Sequence, residues 1–203
     1  MTSGSIRAGR RWRAALGWPA ALLLLANPLA GCSAQDTAEA QDETPAQDEM
    51  ARPSGPVSDR ADILPEAVEA TLDAKLRGYA HRSGNAIVVA SVPSLEGRPI
   101  ENVALDTFNT WGIGGRKTNR GLLVLVAPND RQMRIEVGCG LEKPISYDVA
   151  KQIIEQQMVP PFRSGDFPGG IDSGVDALIA RLDSAKEFGA TSEACLKIMK
   201  EAA

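Results

Sequence analysis

Four aspartates, Asp59, Asp62, Asp130 and Asp166, and two arginines, Arg131 and Arg163, are the side chains of this chain best suited to act together chemically. Gathered carboxylates repel one another, so a cluster of them invites a divalent cation. Hard oxygen donors suit Ca²⁺ or Mg²⁺. Carbonyls of the glycine-rich loop 165–170 would add ligands. A metal held there could bind a phosphate and activate water, and Arg131 or Arg163 could grip the phosphate oxygens. The plainer reading is that Asp59 and Asp62 charge-stabilise the start of a helix, Asp130 makes a turn, and the arginines form surface pairs. His81 is the only histidine, which weakens any histidine-rich metal site or histidine-dependent phosphatase. There is no G-x-S-x-G elbow and no EF-hand loop. Gly115-Arg116-Lys117-Thr118 lacks the order of a phosphate-binding P-loop and precedes a strand rather than a helix.

The elements that must position these groups are legible in the hydrophobic pattern. Pro65 opens a helix at its first position, with Val68, Leu72, Leu76 and Tyr79 on one face and Gly84 at its end. Residues 86–92 and 122–127 are continuous apolar runs, which marks strands buried on both faces. Between them Pro99 opens a second helix carrying Ile100, Val103, Ala104, Phe108 and Trp111, followed by a glycine-rich loop at 112–121. Helical spacing makes Phe108 and Trp111 core residues more simply than a binding lip. Pro128-Asn129-Asp130 turns the chain into an alternating, half-exposed strand at 132–137. Ser146 caps a helix that Pro160-Pro161 stops. A long helix with Ile171, Val175, Leu178, Ile179 and Leu182 follows, then a short C-terminal one. Strand–helix–strand predicts a parallel pair joined by a right-handed crossover, with the third strand antiparallel. Helices on both faces make this an α/β fold, a three-layer α/β/α sandwich. In open α/β sheets ligands sit beyond the carboxyl ends of the parallel strands, and this topology brings Asp59, Asp62, Asp130 and Asp166 toward that edge. Cys139 and Cys195 fall toward the opposite edge, where an oxidising compartment would join them as a disulfide.

Export is written into the first 32 residues. Arg7, Arg10, Arg11 and Arg13 precede an apolar stretch with Leu22, Leu23, Leu24 and Leu25, the layout of a secretory signal. Leu29-Ala30-Gly31-Cys32 resembles a bacterial lipobox, in which the cysteine is lipidated and becomes the new N-terminus. An uncleaved membrane anchor is the competing reading, and Pro19 and Pro28 interrupt it. Residues 33–56 hold six acids, one base and a single large apolar residue, Met50. They cannot bury enough surface to offset ordering and read as a disordered tether. The chain divides into a signal at 1–31, a lipidated cysteine and tether at 32–56, a domain at 57–187 and a C-terminal segment at 188–203. The formal net charge is −4, and removing the four leader arginines leaves −8. An acidic mature chain argues against nucleic acid as a partner.

Five segments, in order, resemble the TPM domain. They are Val57-Ser58-Asp59-Arg60-Ala61-Asp62-Ile63-Leu64; Trp111-Gly112-Ile113-Gly114 with Asn119-Arg120-Gly121; Asp130-Arg131; residues 135–142; and Pro161-Phe162-Arg163 with Gly165-Asp166-Phe167. The chain departs from the family pattern at Leu64-Pro65, where a leucine-serine helix cap is usual, and at Cys139, where an aromatic residue is usual. The resemblance implies an α/β/α sandwich of Rossmann-like shape. Members of the family include proteins assigned acid phosphatase activity, calcium binders, and assembly or receptor-accessory proteins. The expectation is an envelope lipoprotein, anchored to a membrane by its lipid and facing the periplasm. Its domain would bind a divalent cation and act as an accessory or assembly module for an envelope protein partner. A metal-assisted acid phosphatase and a metal-free interaction domain are the alternatives. Ser33, after the lipidated cysteine, tilts the location toward the outer membrane.

Overall fold

The computed structural model describes residues 51–201. The expected signal, Cys32 and most of the tether lie outside the described residues. In chain order the elements are β1 (Val57–Asp59), α1 (Glu66–Ser83), β2 (Ala86–Ser91), α2 (Ile100–Thr110), β3 (Gly121–Ala127), β4 (Gln132–Val137) and a 3₁₀ turn (Cys139–Leu141). Then α3 (Tyr147–Ile153) runs through a π-helical turn (Ile154–Met158) into α4 (Val159–Arg163), followed by α5 (Phe167–Asp183) and α6 (Glu193–Glu201). Residues just before β1 already pack on the domain. The carbonyl of Ser54 accepts from Arg77, and that of Pro56 accepts from the Val89 N–H.

The strands form one sheet in the order β1-β2-β3-β4. β1, β2 and β3 are parallel, and β4 returns antiparallel to β3 with Leu122 opposite Val137. All seven residues of β3 are buried, as its unbroken apolar run requires of a strand covered on both faces. Alternation divides the side chains between two cores. Ile87, Val89, Leu122, Val124, Val126 and Ile135 pack with Leu72, Leu76 and Tyr79 of α1, Ile153 of α3 and Ile171, Val175 and Leu178 of α5. Ala90, Leu123 and Leu125 pack on the other face with Val103, Ala104 and Phe108 of α2, and with Trp111 and Ile113 just after it. Phe108 and Trp111 are 6% and 5% exposed, so both are core.

This layering has a topological consequence. β1-α1-β2 and β2-α2-β3 advance across the sheet in the same direction, so crossovers of one hand would put both helices on one face. Here α1 and α2 lie on opposite faces, so the two crossovers have opposite hands. One of them therefore departs from the right-handed rule that governs nearly all such units.

Three local expectations change. Pro65 and Pro99 sit at the N-cap rather than the first helical position. The Pro65 carbonyl accepts from Val68 and Glu69, and that of Pro99 from Asn102 and Val103. Pro160 and Pro161 do not stop the helix. They occupy the first turn of α4, where a missing N–H is tolerated, and the π-helical turn before them absorbs the break in the ladder. The opening segment forms the edge strand β1 through its pairing with β2.

Cys139, in the 3₁₀ turn, is bonded to Cys195 of α6, with Cα atoms 5.2 Å apart and a sequence separation of 56. Glu142 reinforces the joint by accepting from the backbone N–H groups of Thr191 (2.6 Å) and Ser192 (2.9 Å) at the start of α6. A loop of this length restricts the unfolded chain by about 4 kcal/mol in the chain-entropy model. Denaturant unfolding with and without reductant is expected to show a stability loss of about 2–4 kcal/mol, with the sheet retained before the transition. The Cys139→Ser/Cys195→Ser variant should reproduce the reduced curve.

Candidate functional site

The carboxyl ends of β1 and β2 meet at Asp59 and Ser91. The Asp59 carboxylate accepts from the Leu64 N–H (2.6 Å) and from the Ser91 hydroxyl. Ser91, 2% exposed, accepts in turn from the Ala61 N–H (2.9 Å), and its carbonyl accepts from Arg60 (3.2 Å). These bonds close the segment between β1 and α1 into a tight turn. Asp62 lies on that turn, exposed, at φ 52°, a left-handed conformation that aspartate tolerates better than most residues. Asp59 thus satisfies donors that the turn would otherwise bury unpaired.

The remaining aspartates have similar structural tasks. Asp130, in the β3–β4 turn, accepts from the Leu95 N–H (2.8 Å) and so ties the loop after β2 to the hairpin. Arg131 follows it at φ 53°, exposed, closing the hairpin through its N–H to the Pro128 carbonyl (3.1 Å). Asp166 is the N-cap of α5 and accepts from the Gly169 N–H (2.8 Å). Arg163 is exposed at the end of α4. Among the described residues no three Asp, Glu, His or Cys side chains come together as a group able to hold a metal ion. The convergence of Asp59, Asp62, Asp130 and Asp166 expected from topology is therefore not formed. The topology places these residues only coarsely, and Asp59, Asp130 and Asp166 each turn toward a nearby backbone N–H. A Ca²⁺ or Mg²⁺ ion needs several oxygens at once, and this donor set does not fit it.

A cleft of about 240 Å³ lies beyond the end of β2, on the α2 side, lined by Arg60, Ser91, Ser94, Arg98, Thr107 and Trp111 among others. Its guanidinium groups belong to Arg60 and Arg98, neither of which the sequence pattern singled out; the signal was the Asp59-Arg60 step of the opening motif. Arg98 pairs with Asp106 at 2.5 Å. Glu96 lines the same cleft, so its charges are mixed. The Ser91 hydroxyl, which donates to the Asp59 carboxylate, is buried and engaged there.

The glycine-rich loop folds back on itself. The Gly114 carbonyl accepts from the Arg120 N–H (3.2 Å) and the Thr118 hydroxyl (2.9 Å), and the Gly115 carbonyl accepts from Asn119 (3.0 Å). Gly114 sits at φ 84°, and a Cβ there would overlap the backbone of Arg120 and Gly121. Its glycine serves close backbone approach.

Shifted titratable groups mark joints between elements. At Lys75 burial pulls the ammonium down, but Asp172 (2.8 Å) and Asp176 (2.5 Å) outweigh it and raise its pKa, clasping α1 to α5. At Glu142 burial pushes the carboxyl up, and the hydrogen bonds from Ser192 and Thr191 more than reverse this, leaving it below its ordinary 4.5.

The family model of the TPM domain matches residues 57–181. Among solved structures, the N-terminal domain of a protein from P. gingivalis is 34% identical, with a TM-score of 0.59, over 68% of this chain and 88% of that one. The N-terminal domain of the cg2496 protein from Corynebacterium glutamicum has a TM-score of 0.51 at 14% identity, over 66% of this chain and 85% of that one. That second likeness is one of fold alone. No curated protein sequence matches the chain significantly.

Two outcomes are expected. Asp59→Ala leaves the Leu64 N–H and Ser91 hydroxyl without their acceptor, so urea unfolding should show a loss of about 2 kcal/mol. For Glu142 the folded pKa is depressed, so its clamp is fully present above pH 4.5 and is lost as pH falls through the lower folded value. Amide exchange at Thr191 and Ser192 should therefore accelerate on acidification below that value, beyond its intrinsic pH dependence. Glu142→Gln should abolish that extra change.

Proposed function

The chain belongs to the TPM domain family, and on that premise we propose that it is a membrane-tethered accessory module of the cell envelope, engaging another protein rather than hydrolysing a substrate. One observation carries this reading. Asp59, Asp130 and Asp166 act as acceptors for backbone N–H groups, and among the described residues no group of three metal-ligating side chains is gathered to present to a cation. A metal-assisted phosphatase would need that set, and Arg131 and Arg163 lie in a hairpin turn and at a helix end rather than among the residues lining the Arg60–Arg98 cleft. A rigid α/β unit held at the end of a tether suits docking, because a preorganised surface loses little freedom on binding.

Tethering is supported by the leader pattern and by Leu29-Ala30-Gly31-Cys32. Several acyl chains on Cys32 would hold the protein firmly, each buried methylene adding about 0.8 kcal/mol. An acidic linker of this length would let the domain reach roughly 30 Å from the bilayer, and Ser33 favours the outer membrane. Among the described residues no helix is long and apolar enough to cross a membrane.

Two measurements test the reading. Phosphomonoester hydrolysis at acid pH, with and without Ca²⁺ or Mg²⁺, should stay at the buffer rate. A saturable rate that falls in Arg131→Ala or Arg163→Ala would overturn the non-hydrolytic assignment. Cells fed labelled fatty acid should incorporate label into the chain and lose it with Cys32→Ser; equal labelling of the variant would refute the lipid anchor.

A further inference from the structure

The sheet has two edges, and the chain treats them differently. β1 is three residues long and is preceded by Pro53 and Pro56. A short edge strand flanked by prolines is an ordinary device against unwanted pairing. β4 has no such device. Its six residues contain no proline or glycine and pair one to one with β3, so no bulge bends the edge away.

The pairing parity identifies the groups left open. The Gly138 N–H donates to the Gly121 carbonyl at 2.8 Å. Alternate pairs of that parity, Glu136 with Leu123, Arg134 with Leu125 and Gln132 with Ala127, are then the hydrogen-bonded ones. Met133, Ile135 and Val137 direct their N–H and C=O groups away from β3, and β4 has no strand on its other side among the described residues. These residues border a groove of about 560 Å³ whose other wall includes Tyr147, Ala150 and Ile154. Tyr147 is 73% exposed, an aromatic surface of the kind enriched at protein interfaces.

We propose that a second copy of this chain occupies this edge, with β4 pairing antiparallel to the partner's β4 across a two-fold axis at Ile135. That register sets Ile135 opposite its own copy and Met133 opposite Val137, the positions whose backbone groups are open. The charges are self-complementary in the same register. Arg134 and Glu136 are joined within the strand at 2.7 Å. Across the axis Arg134 faces Glu136 of the other copy, and Glu136 faces Arg134, giving a four-charge checkerboard with like charges only on the diagonals. Sliding the pairing by two residues would set Arg134 against Arg134 or Glu136 against Glu136, which is destabilising. The interface is isologous and closes as a dimer, turning two four-stranded sheets into one of eight strands. The inference stands on the sheet edge and is independent of the function proposed above.

Sedimentation of the full chain across the micromolar range, paired with amide exchange, tests it. The mass should double with concentration, and the amides of Met133, Ile135 and Val137 should gain protection in step. Arg134→Glu and Glu136→Arg should each weaken the dimer tenfold or more, and the Arg134→Glu/Glu136→Arg swap should restore it. The swap keeps both the internal pair and the two-fold complementarity and gives up only the longer, 3.8 Å contact of Arg134 with Glu101, so it remains decisive if either single variant folds poorly. A chain that stays monomeric, a dimer indifferent to Arg134→Glu, or three amides protected in the monomer would each overturn the proposal.

Discussion

The Asp59 carboxylate, held between the Leu64 N–H and the Ser91 hydroxyl, is the interaction on which this end of the molecule depends. It fastens the end of β1 to the end of β2 and fixes the turn from which α1 departs. That departure sends α1 to the face opposite α2, and the faces then fill unequally. α1, α3, α4 and α5 share one core while α2 covers the other. The same bonds decide the chemistry of the edge. A carboxylate engaged by a backbone N–H of its own turn and by a hydroxyl of the neighbouring strand is a structural acceptor, and Asp130 and Asp166 each accept from a backbone N–H, those of Leu95 and Gly169.

Much of the architecture was legible because it is written in periodicity. The apolar runs of β2 and β3, the alternation of β4 and the spacing of Leu72, Leu76 and Tyr79 specify their elements with little ambiguity. The Cys139–Cys195 bond was legible because strand direction puts both residues at one end of the sheet. β1 was not, since Val57-Ser58-Asp59 is too short and too polar to announce a strand and becomes one only by pairing with Val89, Ala90 and Ser91. Nor was the continuity through Pro160 and Pro161, which depends on a π-helical turn with no sequence signature of its own. The opposite hands of the crossovers were equally hidden, because a helix's apolar stripe does not say which face of the sheet it will cover.

The candidate site was the least legible part for a related reason. A sequence shows that a residue is acidic and roughly where its element ends. It does not show which N–H faces the carboxylate, and a rotation of one bond separates a metal ligand from a helix cap. Asp166 is the plainest case. Its placement before Phe167-Pro168-Gly169 suits a helix N-cap, and its oxygen accepts from Gly169. Arg60 and Arg98 were overlooked because neither stands out by charge clustering; the cleft between them forms only when the ends of β1 and β2 are brought beside α2.

The proposal turns on Asp59, Asp130 and Asp166, which hold backbone N–H groups near the carboxyl edge of the sheet. The most direct measurement follows the amide resonances of Leu64, Leu95 and Gly169 in the full chain as Ca²⁺ and then Mg²⁺ are added. These three N–H groups donate to Asp59, Asp130 and Asp166, so a metal recruiting those carboxylates must disturb them. The account predicts that all three stay in place at saturating ion. Saturable, concerted shifts of the three, lost in Asp130→Asn, would contradict it and restore the metal site.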